Sequence, residues 1–310
     1  MRRLNALSAS SVLLSVTLSA AGVPSGQELP AAHEGLTRTV YVTVLDKAGA
    51  PVTDLSAADF VVREGGKDRA VVQAGMTTVP LRIALVVDDN GTGIFRYAVA
   101  KFIERLQGRA EFAVSTVQGQ HLKLLDYTSD VERLITALGQ LSARPASNDG
   151  GQLLEGIFET AKDLQKRRAL RPIIVVLTVG GEEHSTLPAH HVLEELEKSG
   201  AALNVIATNN SALRAMATVS KPSALLESNL NLSEVLGDGP KQSGGTRDEI
   251  VASAGVVTGL QELAEALRNQ YAVSFSRPDK PRDSEKLSVS VKRSGLTVRA
   301  PMRLRVSTGN

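Results

Sequence analysis

The chain has 310 residues, 42% of them hydrophobic and 22% charged, with a formal net charge of +2. This is the balance of a globular protein with one large domain or two ordinary ones. There is no Cys and no Trp, and aromatic residues make up only 3%. Disulfides, thiolate nucleophiles, Cys metal sites and stacking platforms for bases are thereby excluded.

Residues 1–22 open with Arg2 and Arg3, continue with an apolar core near 11–18, and end on small residues around Ser19-Ala20-Ala21. That is the layout of a secretory signal peptide. The apolar core is shorter than the roughly 20 residues a membrane span needs. Its removal would leave 33 basic against 33 acidic residues. A neutral mature chain has no general electrostatic pull on nucleic acid or on an anionic membrane. The expectation is an exported protein of the bacterial periplasm or exterior, with no integral membrane span after signal cleavage and no nucleic-acid partner. Freedom from Cys fits that setting better than animal secretion, where disulfides are usual.

Residues 23–35 are expected to be a linker. Residues 36–78 form a small β unit: Val40, Val42 and Val44 alternate along one strand, and FVVRE and RAVVQA flank a Gly65-Gly66 turn. From Pro80 the rhythm changes. Apolar strands at 81–87, 111–117, 171–179 and 202–208 alternate with amphipathic helices near 94–107, 130–140, 151–167 and 188–199, and a short strand lies at 121–127. Alternation of this kind specifies an α/β, Rossmann-like doubly wound domain over 80–270 with a mostly parallel sheet. The Gly-containing segment 237–247 is expected to be a mobile loop, and a helix over 258–270 precedes a strand at 271–276. Residues 271–310 return to strands. These and the N-terminal strands are expected to share a small sheet or sandwich into which the α/β domain is inserted.

The chemistry concentrates where the strand LRIALVV stops at Asp88-Asp89-Asn90-Gly91-Thr92. Ligands of doubly wound sheets sit beyond the carboxyl ends of the strands. The opening VVDDN is similar to that of receiver domains, but Asp126 lies in a hairpin and no Lys ends the strand 202–208, so the remaining receiver residues are missing. His184, His190 and His191 lie among Glu182, Glu183, Glu194 and Glu195 without metal-protease spacing, and read as a solvated loop and helix start. The basic run 166–168 and Arg171 read as complements to a helix dipole. No nucleophile elbow or phosphate loop occurs, so a hydrolase using Asp88 or Asp89 as base lacks a nucleophile, and an enzyme is not expected.

Residues 81–208 resemble a von Willebrand factor type A domain, and 42–72 together with 267-LRNQYAVSF-275 resemble the flanking pieces of bacterial, acidobacterial-type proteins related to it. The front motif is carried by Val42, Val44, Asp46, Gly49, Pro51, Val52, Leu55, Asp59, Phe60, Glu64, Gly66 and Lys67. In that family the resemblance implies a metal-dependent adhesion site with a D-x-S-x-S loop, a Thr in a later loop and an Asp after the fourth strand. Here Asp88, Asn90 and Thr92 stand in the first loop, Gln152 replaces the Thr, and Val179 replaces the Asp. Magnesium wants near-octahedral oxygen ligands, and Val offers none. The expectation is a vestigial or weak Mg2+ site at Asp88, Asn90 and Thr92, no firmly held cofactor, and recognition of an unidentified protein partner through the loops around Asp88, Asn90, Thr92, Gln152 and Val179.

Overall fold

The computed structural model describes residues 37–141, 151–208, 223–251, 253–277 and 285–304. The expected signal peptide (1–22), the expected linker (23–35) and Gly150 of the second site loop lie outside the described residues.

A six-stranded sheet carries the α/β part, in the order β10-β9-β8-β5-β6-β7. Its strands are β5 (Leu81–Asp88), β6 (Ala110–Gln118), β7 (Gln120–Thr128), β8 (Pro172–Thr178), β9 (Ala202–Thr208) and β10 (Arg247–Ile250). All neighbours run parallel except β6 and β7, which form an antiparallel hairpin. Helices α1 (Arg96–Arg105), α2 (Val131–Gln140) and α6 (Ser253–Arg268) pack on one face; α3 (Leu153–Lys166), α4 (Ala189–Ser199) and α5 (Ser223–Ser243) pack on the other. The period-two alternation of a strand divides the core between the faces. In β5, Leu81, Ile83, Leu85 and Val87 join the α1 side, while Val86 joins the α3 side. Covered on both faces, β8 is buried along its whole length, which is why its sequence is an unbroken apolar run. This is the α/β class and the doubly wound, mostly parallel architecture expected above.

Two four-stranded antiparallel sheets complete the chain, ordered β13-β1-β11-β4 and β14-β12-β2-β3. They use β1 (Thr37–Leu45), β2 (Phe60–Glu64), β3 (Lys67–Arg69), β4 (Val71–Met76), β11 (Tyr271–Ser276), β12 (Glu285–Val291), β13 (Thr297–Arg299) and β14 (Arg303–Leu304). N-terminal and C-terminal strands interleave: β1 pairs with β11, and β2 pairs with β12. The two sheets share one core of Val40, Val42, Val44, Phe60, Val62, Tyr271, Val273, Phe275 and Leu287. Tyr271 packs edge-on against Phe60 at 5.2 Å, and its hydroxyl accepts the Leu55 N–H at 3.0 Å. Glu64 is buried within this unit, ion-paired to Arg38 of β1 and, at 3.4 Å, to Arg69 of β3.

The segment 237–247 corrects the expectation of a mobile loop. Helix α5 runs through it to Ser243 with Pro240 inside, and β10 follows at Arg247 as the sixth strand. Two of its glycines are close-approach positions against Leu203. A Cβ on Gly239 would lie 2.9 Å from a Leu203 methyl, and one on Gly245 would lie 1.9 Å from the Leu203 carbonyl oxygen. The buried Asn204 holds the turn by accepting the Thr246 N–H at 3.2 Å. Composition reads as a breaker here, but packing against α4 and β9 overrides propensity.

Arg171 meets a helix end as expected, but that of α6 and not of α3, and it sits buried at the foot of β8. Its guanidinium donates to the Gln270 side chain at 2.8 and 3.0 Å, to the Val79 carbonyl at 2.9 Å and to the Leu267 carbonyl in the last turn of α6. Gln270 in turn donates to the Thr43 hydroxyl at 3.1 Å, so this chain of bonds ties the α/β sheet to the sandwich.

Candidate functional site

The sheet order reverses between β5 and β8, whose crossovers leave in opposite directions, so a crevice forms beyond their carboxyl ends. Asp88 and Thr178 are register partners at this point, the last residues of their strands. The Thr178 hydroxyl donates to Asp88 Oδ2 at 2.6 Å, and the Val179 N–H donates to the Asp88 carbonyl at 3.0 Å. Burial pushes the Asp88 carboxyl up to about 6, against the Thr178 hydrogen bond, and the neighbouring Asp89 charge adds to the rise.

The loop after β5 folds back on itself. Asn90, Gly91 and Gly93 all have left-handed backbone, with φ of 54°, 73° and 69°. That curl brings the Gly91 N–H to Asp89 Oδ1 at 3.0 Å, and the Thr92 N–H and hydroxyl to the Asp89 carbonyl at 3.1 and 2.8 Å. Asp89 is fully buried, and burial raises its pKa despite the Gly91 and Gly93 N–H groups. Its Oδ2 has no hydrogen-bond partner among the described residues.

The opposite wall comes from the α3 loop and the β8–α4 loop. Gly151 pairs with Glu183 as an isolated bridge, with Gly151 N–H on the Glu182 carbonyl at 2.9 Å and His184 N–H on the Gly151 carbonyl at 2.8 Å. A Cβ at Gly151 would stand 3.0 Å from Val117 and 3.8 Å from Asp88 Oδ1, so only Gly lets this loop approach β6 so closely. Gln152 is the N-cap residue of α3, and its side chain makes no capping bond. Glu183 takes that part: it accepts the Leu153 and Leu154 N–H groups at 3.1 and 3.4 Å. It is 1% exposed, and burial pushes it up to about 8, with Glu155 and Asp88 contributing.

The structure thus brings Asp88, Asn90 and Thr92 into one loop with Gly151, next to Gln152, across the crevice. Val179 stays beside Asp88 through its backbone N–H, while its half-buried side chain packs against the core cluster under α1 and α6. Two residues that sequence reasoning did not place in the site belong to it. Thr178 is visible only as the neighbour of Val179 in the chain, although its position as the last residue of an apolar strand is the available signal. Glu183 reads as part of a solvated loop, and its burial corrects that reading. Glu195 is buried too, whereas His184, His190 and His191 are exposed as expected. Among the described residues no group of three His, Asp or Glu side chains converges as a metal cluster.

No family model matches the chain, and no curated protein matches it. Solved structures with a similar course do occur. A von Willebrand factor type A protein from Catenulispora acidiphila is 10% identical, over 88% of this chain and 75% of its own, with a TM-score of 0.45. The conserved hypothetical protein BatB from Bacteroides thetaiotaomicron is 11% identical, over 61% of this chain and 99% of its own, with a TM-score of 0.42. Proximal thread matrix protein 1 of the mussel byssus, described with a zinc-occupied MIDAS motif, is 12% identical, over 66% of this chain and 50% of its own, with a TM-score of 0.45. The chain therefore spans about half the length of the mussel protein. Likeness at this level carries no information about what the chain binds. Among the described residues no helix is long and apolar enough to cross a membrane.

Proposed function

We propose that this chain is an exported, non-enzymatic binding or scaffold module that presents the loops at the carboxyl end of its six-stranded sheet to a protein partner, with a vestigial metal site. One observation supports the reading: several of the oxygens that would surround a cation are already engaged within the protein. The Thr178 hydroxyl holds Asp88 Oδ2, the Thr92 hydroxyl holds the Asp89 carbonyl, and the half-buried Val179 side chain packs against the core and brings no oxygen. A hard divalent cation wants about six oxygens in near-octahedral array. Asp88 Oδ1, Asp89 Oδ2 and the Asn90 and Gln152 amides are the side-chain oxygens left without a bond among the described residues, fewer than that demand. Beside the loop, Ile94 and Tyr97 are 45% and 66% exposed. Apolar and aromatic surface next to a polar rim suits a protein interface.

Weak divalent-metal-dependent binding through Asp88, Asn90 and Thr92 is the second reading, favoured by Asp88 Oδ1, which takes no hydrogen bond among the described residues. Melting with manganese or magnesium separates the two. Under the first reading millimolar metal raises stability by less than about 1 kcal/mol; a larger gain requires a Kd well below that concentration and supports the second. Retention of envelope proteins on the immobilised chain should survive Asp88→Ala and fall with Tyr97→Ser.

A further inference from the structure

At the amino end of the sheet, opposite the rim, a cleft of about 350 Å³ opens between the α/β part and the tail strands. Leu193 and Leu196 of α4 form one wall, and Pro301 and Met302 form another. The end of α5 closes the cleft. The seam is bonded through Met302, whose N–H donates to the Gln242 carbonyl at 2.8 Å and whose carbonyl accepts the Leu287 N–H at 2.7 Å. The volume falls within the range of small-molecule sites.

The charges in this cleft are arranged unusually. Lys286 of β12 and Arg303 of β14 both line it, and they are direct cross-strand register partners. Like charges directly opposite each other destabilise a strand pair. Among the described residues Glu197 is the one carboxylate lining the cleft, and its distance to Arg303 is 4.0 Å. Lys286 has no carboxylate partner among the described residues. An apolar wall beneath a pair of facing cations calls for a ligand with an apolar body and one negative charge. A cation would meet Lys286 and Arg303, and a bare inorganic anion would leave the apolar walls wet.

We propose that this cleft binds a small amphiphilic carboxylate, its alkyl chain against Leu193, Leu196 and Met302 and its carboxylate between Lys286 and Arg303. The occupant bridges α4 to the β12–β14 pair, so it stabilises the junction between the two parts of the protein.

Octanoate titrated into the full chain, read by calorimetry and by melting temperature, tests this. Octanoate should bind and raise the melting temperature. Octanamide, with the same chain and no charge, should bind about tenfold more weakly or worse, as the loss of one charge-assisted contact implies; acetate, with the charge and no chain, should also bind at least about tenfold more weakly, because it buries no alkyl chain. Lys286→Gln should weaken octanoate about tenfold while leaving octanamide unchanged, because Lys286 is exposed and its loss costs the fold little. Met302→Trp, which fills the mouth from a half-exposed position, should abolish binding of all three; circular dichroism reports that both variants are folded. The proposal is overturned if octanoate fails to bind at millimolar concentration, if octanamide binds as well as octanoate, or if Lys286→Gln leaves octanoate affinity unchanged. A peptide with an apolar C-terminus that binds where octanoate does not overturns it as well.

Discussion

At the foot of β8, Arg171 is 4% exposed and its guanidinium is spent on Gln270, Val79 and Leu267, with its face over the Tyr41 ring at 5.5 Å. At the head of the same strand the buried groups are carboxylates, and their bonding is incomplete: Asp89 Oδ2 and Glu155 Oε2 have no partner among the described residues. Burial works against charge at both ends. It lowers Arg171 to about 10 and raises Asp88 to about 6 and Glu183 to about 8. The foot answers with a fully satisfied network that fixes how two parts of the protein meet. The head leaves oxygens unmatched, and natural proteins tolerate such local inconsistency chiefly where they function.

Four experiments press on that contrast. The largest effect belongs to Arg171→Met, which leaves two backbone carbonyls and the Gln270 oxygen buried without donors. Chemical denaturation should show a loss of about 3–5 kcal/mol. Next comes pH. The unfolded chain releases the Glu183 proton near 4.5, whereas the folded protein holds it up to about 8. The folded state therefore binds more protons between these values, and stability falls as pH rises from about 5 to 8, by roughly 3–5 kcal/mol for this residue. Asp88 adds a smaller decline of the same sign between its ordinary value of 3.8 and about 6. Glu183→Gln should flatten most of the slope; a wild-type stability that rises over that range contradicts the buried-acid account.

A smaller effect attends Thr178→Val. It removes the hydroxyl from Asp88 Oδ2 while keeping the shape, costs about 1–3 kcal/mol, and raises the Asp88 pKa further because a bond to the charged form is lost. Titration of Asp88 by carbon NMR reads the second effect directly. The smallest change is expected for Asn90→Gly. Asn90 already holds a left-handed backbone that glycine adopts freely, so stability should shift by less than about 0.5 kcal/mol. The same variant removes the side-chain amide oxygen of the loop, so any metal response of the wild type that depends on that oxygen should disappear with it.

Much of the fold was legible in the chain. The apolar runs at 81–87 and 202–208 are strands because they must be buried on two faces, and the helix periods between them are long enough to be unambiguous. Within the site, Asp88 announces itself by ending such a run. Glu183 does not, because it lies in a polar loop whose burial depends on α3 and β6 closing over it.

The sequence alone determined the alternation of strands and helices, the cation-poor wording of the strand-end loop and the β character of both flanks, since these rest on local periodicity and residue chemistry. Tertiary structure alone decided that the glycine-rich stretch near Pro240 continues a helix and leads to a sixth strand, that Glu183 rather than Gln152 caps α3, and that Lys286 faces Arg303 across a cleft. Each of those outcomes depends on which surfaces meet across long sequence separations, and packing of that kind leaves no periodic trace in the chain.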